Sequence, residues 1–375
     1  MSAPNPHESD LVLGGQNPPP INAAVLGGEA GKKQKLQYKQ AFAKENKFWC
    51  DFEYLNGLPN SHANIFADRQ VVNFEAGMEI INPQNNAYSF HEYYGSDTFE
   101  SKWFSVLESP CTNEIEALVF GIADWDMELI SVIANAKDKL ENLKAIFIGD
   151  IEDSECMISS LPCYGDISPI LESYDRLEFL QMRCNQGRNA RTGEKLYEGF
   201  RFCQTLRHDK LKILRIESSG LNHQTLLDIN QLKLPSLEYL ELWLGSPEYG
   251  ANSSIEDLIP MISSEKFSQL KYLGFKNCDY TDDIAFALAK SPFLENLIEL
   301  DLSMGTLGND GLLALLNSPA IEYLDTLNIS ENFITRGFIE NILPTFELNC
   351  KLIIDRQECG YESVPRSERY CSVSE

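Results

Sequence analysis

Apolar residues recur along this chain in the pattern LxxLxL, with more variable residues at the positions between them. Because side chains alternate across a strand, this spacing predicts short strands that each turn apolar residues toward a core. Consecutive copies begin 28, 34, 34, 26, 33, 27 and 27 residues apart. The eight copies are Ile115-Leu118-Phe120, Leu143-Ile146-Ile148, Leu177-Leu180-Met182, Leu211-Leu214-Ile216, Leu237-Leu240-Leu242, Leu270-Leu273-Phe275, Leu297-Leu300-Leu302 and Leu324-Leu327-Ile329. A ninth, degenerate strand is predicted around Leu352 and Ile354.

A helical pattern follows several of these strands. The segment GNDGLLALLNSP places Leu312, Leu315 and Leu316 on one helical face, and TDDIAFALAKSP repeats the spacing. A proline just past the last periodic residue ends both predicted helices. Strand and helix together span about 27 residues, which is typical of leucine-rich repeats of the ribonuclease-inhibitor type.

The predicted fold is therefore α/β, a leucine-rich-repeat solenoid with a parallel sheet on its concave face and helices on its convex face. A single repeat cannot bury its apolar side, so units must stack and the ends must be capped. Four parts are expected. They are a flexible segment 1–49 with a lysine-rich possible helix, an α+β N-terminal cap over 50–112 with a helix near 97–108, eight to nine repeats over 113–356, and a C-terminal cap or tail over 357–375.

Charge and cysteine usage narrow the function. The chain has 31 Lys and Arg against 56 Asp and Glu, a net charge of −25, which disfavours nucleic acid and favours a basic partner. No apolar run is long enough for a membrane span, and the N-terminus does not read as a secretory signal. Ten cysteines without a CxxC pair indicate reduced thiols in a cytoplasmic protein, with neither a zinc motif nor a disulfide framework.

Several segments resemble one bacterial family of leucine-rich-repeat proteins whose N-terminal cap starts at a GLP motif. The resemblance covers the chain from about residue 52 to its end, and it implies the fold and a cytoplasmic setting but no activity. The segments that carry it are YLNGLP (54–59), IEALVFG (115–121), GDIEDSECMIS (149–159), DISPILESYDRLEFL (166–180), LELWLGSPEYG (240–250), LDLSMGTLGNDG (300–311) and RYCSVSE (369–375).

The positions between the repeat leucines predict the composition of the concave face. Small apolar residues occupy the first units, aromatic residues and arginines the middle, and acidic residues the end. Exposed Tyr, Trp and Arg side chains are typical of interface hot spots. Whether the N-terminal cap or its tail covers Ala117, Val119 and Phe147 is left open. The predicted partner-binding residues are Phe179, Gln181, Arg183, Arg215, Glu217, Tyr239, Glu241, Trp243, Tyr272, Lys276, Glu299 and Asp301.

No catalytic motif stands out. A GxSxG elbow is missing, and the segment around Gly305 and Gly308 matches no phosphate-binding loop, so those glycines are expected to ease a turn. The histidines lack partner motifs and are expected in surface or capping roles. We therefore expect a non-enzymatic scaffold without cofactor or metal that docks a protein or peptide, in which alanine at Trp243 and Tyr239 removes binding without lowering the melting temperature.

A second hypothesis is that the acidic loop 150–166 and acids of the concave face together form a site that binds a metal ion or another ligand. Such a site could also be enzymatic. The calcium-loop pattern D-x-[DN]-x-[DN]-G is absent from this loop, which favours a solvated acidic loop instead. The acids concerned are Asp150, Glu152, Asp153, Glu155, Asp166, Glu217, Glu241, Glu299 and Asp301.

Overall fold

The computed structural model describes residues 50–51, 54–55, 58–59, 61–92, 95–121, 129–152, 157–161, 165–185, 201–203, 205–263 and 265–373. The segment 1–49, with its predicted flexibility and lysine-rich helix, lies outside the described residues. The same holds for the loop 186–200 and for the acids Asp153 and Glu155.

Fifteen strands are formed by the described residues. They are β1 (Cys50–Asp51), β2 (Tyr54–Leu55), β3 (Leu58–Pro59), β4 (Ile65–Phe66), β5 (Arg69–Asn73), β6 (Asn86–Phe90), β7 (Ala117–Phe120), β8 (Ala145–Ile148), β9 (Phe179–Arg183), β10 (Ile213–Glu217), β11 (Tyr239–Gly245), β12 (Tyr272–Cys278), β13 (Glu299–Asp301), β14 (Thr326–Asn328) and β15 (Lys351–Ile353). All except β2 and β3, which pair with each other, join one sheet of thirteen strands.

From β5 to β15 every neighbouring pair in this sheet is parallel and follows chain order, as a solenoid requires. The fourth position of each LxxLxL copy falls in one register column. That column runs through Leu118, Ile146, Leu180, Leu214, Leu240, Leu273, Leu300, Leu327 and Leu352. The eight sequence copies and the degenerate ninth strand are thereby confirmed.

Eight α-helices lie between these strands in the described part of the chain. They are α1 (Phe99–Leu107), α2 (Leu129–Asn135), α3 (Ser168–Ser173), α4 (His223–Gln231), α5 (Ile255–Ser263), α6 (Thr281–Leu288), α7 (Asn309–Leu316) and α8 (Arg336–Asn341). Their buried residues pack with the column leucines in one continuous apolar cluster that runs along the helical side of the sheet. None of the helices that the structure describes is both long and apolar enough to cross a membrane.

The two ends of the solenoid differ from a simple repeat with caps. At the N-terminal end, β5 and β6 continue the parallel ladder into the segment 50–112, with Val72 and Tyr88 extending the leucine column. The sheet therefore passes the expected boundary at residue 113 without a break. At the other end, the last described residues run back along the sheet to β12. There the Asn277 side-chain amide donates to the Val373 carbonyl at 2.7 Å, and the Val373 amide donates to Asn277 Oδ1 at 2.8 Å.

Candidate functional site

The first units of the concave face, the sheet side opposite the helices, are covered by the chain itself. The ring centre of Phe66 in β4 lies 4.8 Å from that of Phe179 and 5.8 Å from that of Phe147. This answers the question that the sequence leaves open, because the segment around β4 closes the apolar patch. The buried members of this second cluster are Ala63, Phe66, Ala87, Ala117, Val119, Ala145, Phe147, Phe179 and Ile213.

Buried charges follow the apolar patch along the face. The Arg183 Nε atom lies 2.6 Å from Glu217 Oε2, and both side chains are fully buried. The Gln181 amide donates to Glu217 Oε1 at 3.1 Å, and an Arg183 Nη1 hydrogen donates to the Ile151 carbonyl at 3.3 Å. A charge removed from water is tolerated only with such partners, so these residues form an internal polar network.

The network continues across β11 to β13. Arg215 Nε lies 2.7 Å from Glu217 and 3.1 Å from Glu241, while Lys276 Nζ lies 3.8 Å from both Glu241 and Asp301. Burial raises the pKa of Glu241, but the charges of Arg215 and Lys276 outweigh burial and bring that pKa down to about 2. The Glu241 carboxylate is therefore ionised at neutral pH and balances the two cations beside it.

Two tyrosines complete the network. The rings of Tyr239 and Tyr272 stack with centroids 3.9 Å apart and planes 4° from parallel. Both hydroxyls donate to Glu241 Oε2, at 2.6 and 3.1 Å, and the Tyr272 hydroxyl also lies 3.2 Å from Asp301 Oδ2. Burial raises both tyrosine pKa values well above 10, so the hydroxyls stay protonated as donors.

Trp243, predicted to be an exposed anchor, is 0% exposed. It packs with the loop after β8 and with the returning C-terminal tail, and its Nε1 hydrogen donates to Glu241 at 2.7 Å. The expectation of an exposed aromatic centre is therefore wrong. The expectation fails because the loop and the tail that bury Trp243 are far from it in the sequence and do not belong to the repeat pattern. The side chains around Trp243 are Ile151, Ile158, Leu161, Met304 and Val373.

The remaining predicted residues lie toward the end of the sheet, where the face opens. Glu299 in β13 and Thr326 and Asn328 in β14 are partly exposed, whereas Asp301 is only 7% exposed. Asp301 accepts hydrogen bonds from the Ser303 amide at 2.9 Å and from Asn328 Nδ2 at 3.0 Å. Partial burial raises the pKa of Glu299, and the nearby charges of Asp325 and Asp301 raise it further.

The described acids of the loop 150–166 do not gather into one acidic site. Asp166 accepts a hydrogen bond from the Ser168 amide at 2.9 Å, at the start of α3. Asp150 lies instead against His62 and His91, which the sequence analysis expects in surface or capping roles. That expectation is wrong for His91, which is 4% exposed. Because these residues are 29 and 59 positions apart, no local motif signals the cluster.

Among the residues that the structure describes, His62, His91 and Asp150 form the only group of three or more His, Cys, Asp or Glu side chains that could bind one metal ion. Ligand atoms of His62, His91 and Asp150 all lie within 4.8 Å of one another. The cluster lies near the N-terminal end of the face and apart from its open end.

Eleven parallel strands in chain order, with their leucines in one column and helices on one side, define a leucine-rich-repeat solenoid. No family model matches the chain, and no curated protein matches it by sequence.

Among solved structures, a protein from Bacteroides fragilis superposes with a TM-score of 0.62 at 22% identity, over 75% of this chain and 77% of that one. This likeness supports the fold alone. Two weaker matches are an internalin from Listeria monocytogenes (TM-score 0.33, 18% identity, 69% of this chain and 58% of that one) and the TLR13–ssRNA13 complex (0.35, 16%, 75% and 34%).

Proposed function

We propose that the protein is a non-enzymatic scaffold that docks a basic segment of a protein partner on the C-terminal end of its concave face. The observation that carries this proposal is the gradient of exposure along the face. From β7 to β10 the side chains of the face are buried, as is Trp243 in β11, whereas Tyr239, Glu299, Thr326 and Asn328 are partly exposed and Lys351 in the last strand is exposed. An edge of this kind is where a solenoid can receive another chain.

Charge supports a basic partner. Burial and the neighbouring carboxylates Asp325 and Asp301 raise the pKa of Glu299 and outweigh the nearby Lys351, which lowers it, so negative charge is in excess there. A lysine or arginine from a partner would relieve that crowding. The net charge of −25 would also steer a basic chain toward the protein.

Fewer of the twelve partner-binding residues predicted from the sequence belong to the surface in this proposal. Phe179, Gln181, Arg183, Glu217 and Trp243 are enclosed, so we assign them to stability. Tyr239 and Lys276 lie half-buried at the margin of the open end, beside Glu299 and Asp301. We place the contact with the partner at this margin and at β13 and β14.

Charge reversal at one exposed position tests the proposal. Tagged full-length protein would be used for affinity purification from lysate of its source cells, with quantitative mass spectrometry. We expect Glu299→Lys to lower recovery of a basic partner at least about tenfold, equivalent to about 1.4 kcal/mol, because the substitution adds repulsion.

Glu322→Lys is the matched control, since it makes the same charge change at an exposed residue in the turn before β14. It should retain the partner. Circular dichroism and melting temperature would first establish that both variants are folded. Equal recovery with the two folded variants would refute binding at Glu299.

A further inference from the structure

His62, His91 and Asp150 come together from three distant parts of the chain. His62 precedes β4, His91 directly follows β6, and Asp150 lies two residues after β8. Asp150 Oδ2 is 3.0 Å from His91 Nε2 and 3.6 Å from His62 Nδ1. The two imidazole rings face each other with centroids 3.8 Å apart.

These spacings match those of ligands around one small ion. Zinc lies about 2.0–2.1 Å from nitrogen and oxygen ligands, so two ligands of a tetrahedral ion are roughly 3.4 Å apart. The distances of 3.0 and 3.6 Å to Asp150 lie on either side of that value. Two imidazoles with one carboxylate favour zinc or a similar first-row metal, whereas calcium and magnesium prefer sets of oxygen ligands.

Surrounding groups hold Asp150 and His91 in place. The Ala63 amide donates to both carboxylate oxygens of Asp150 at 3.2 Å, so one oxygen can bind an ion while the other keeps that bond. Lys102 Nζ donates to the His91 carbonyl at 2.8 Å. A Cβ atom at Gly121 would lie 2.6 Å from His91 Cδ2, so the ring position requires glycine there. Support of this kind orients metal ligands in proteins.

The electrostatic environment also suits a cation. Burial raises the pKa of Asp150, but hydrogen bonds with His62 and His91 and the charge of Arg183 outweigh burial, and the pKa is about 2. The nearby guanidinium of Arg183 is balanced by Glu217, 2.6 Å away.

We propose that His62, His91 and Asp150 bind one divalent transition-metal ion of the zinc class. The ion would fasten the segment before β4 to the ends of β6 and β8. Phe66, which covers Phe147 and Phe179, lies four residues after His62, so the metal would hold that cover in place. We assign the ion a structural role, because Asp150 is fully buried and His91 almost so, and the fourth position of a tetrahedral ion would be taken by water.

Zinc titration of the full-length protein tests this site. Protein stripped with a chelator and kept reduced would be titrated with zinc chloride by calorimetry, and its melting temperature measured with and without zinc. We expect one ion per chain and a higher melting temperature, because an ion that binds the folded state stabilises it. Cobalt should give an absorption spectrum without a thiolate charge-transfer band, which separates this site from the cysteines.

Substitutions assign the ligands. His62→Gln and His91→Gln should each weaken zinc binding at least about tenfold, and more if the ligand is essential. His223→Gln is the control, because His223 is partly exposed and does not belong to the cluster. Its Nδ1 atom lies 3.4 Å from Asp257 Oδ1. It should bind zinc like the unsubstituted protein.

The proposal is overturned if the unsubstituted protein binds no zinc, or if both cluster variants bind it as tightly as before. Should His91→Gln fail to fold by circular dichroism, His62→Gln decides the matter, since the His62 side chain is 16% exposed and tolerates change more readily. Both results are independent of partner binding at Glu299.

Discussion

Charged residues on the concave face are internal at its middle and partly exposed at its end. Arg183, Glu217, Arg215 and Glu241 sit in a line of ion pairs with at most 10% side-chain exposure. A buried pair of this type adds little net stability, but loss of one partner is costly because the other charge is left without compensation. Sequence alone gives these residues the same polar character as Glu299, and only the covering segments distinguish them.

Trp243 provides the clearest test of this distinction at the residue scale. We expect Trp243→Ala to lower the free energy of unfolding by about 3–5 kcal/mol, because the indole is fully buried and donates to Glu241. Urea-induced unfolding followed by circular dichroism would measure the change.

Phe104→Ala is the control, since Phe104 is a large aromatic residue that is 70% exposed on α1. Its effect should stay within about 0.5 kcal/mol. An unchanged stability in Trp243→Ala would show that the indole is on the surface, as the sequence first suggests.

At the level of elements, neighbouring strands are also matched by charge. In the first six units, the residue after the first apolar position of the repeat, which directly precedes the strand, alternates between acid and base along the edge of the sheet. Lys144 lies 2.7 Å from Glu116, and Lys212 lies 2.7 Å from Glu178. The alternation continues with Glu238 and Lys271, so the column reads Glu116, Lys144, Glu178, Lys212, Glu238 and Lys271. Opposite charges on adjacent strands favour the observed register.

The C-terminal tail is a second element that the repeat pattern does not contain. Arg369 donates to Asp282 at 2.8 Å and to the Thr306 carbonyl at 3.0 Å, and its guanidinium lies against Gly308. A Cβ atom at Gly308 would lie 2.4 Å from that guanidinium, so a larger residue there would displace the Arg369 side chain from its present position. The sequence analysis ascribes Gly308 to a turn, because the tail that contacts it is about 60 residues away in the chain.

We expect Arg369→Ala to destabilise the fold by about 2 kcal/mol, because Asp282 is buried and loses its closest cation, while Arg366 remains 3.4 Å away and compensates in part. Arg207→Ala, which breaks an exposed pair with Asp209, should change stability by at most about 0.5 kcal/mol. Thermal unfolding of both variants measures the difference. Equal melting temperatures would show that the tail does not fasten to Asp282.

For the whole molecule, the sequence predicts the repeat part of the fold well, because local spacing determines it. The leucine column, the helical side and the ninth strand depend on periods that are visible in a few residues each. The covered part of the concave face depends on contacts between segments far apart in sequence. No local sequence pattern signals the contact of Phe66 with Phe179 or that of Val373 with Trp243. The same is true of the cluster of His62, His91 and Asp150.

Among the residues that the structure describes, the segment around β4 and the returning C-terminal residues up to Val373 leave one part of the concave face uncovered. The segment at β4 covers the apolar units, and the tail covers Trp243, whereas β13 and β14 present partly exposed polar side chains. We propose that this uncovered part is the docking surface.

Site-specific photo-crosslinking tests that claim most directly. A photoreactive amino acid would replace Thr326, which is partly exposed in β14, or Phe104, which is 70% exposed on the helical side. After irradiation in cells, mass spectrometry should find a basic partner attached at position 326 and not at position 104. Attachment at position 104 in preference to position 326, or none at position 326, would contradict the account.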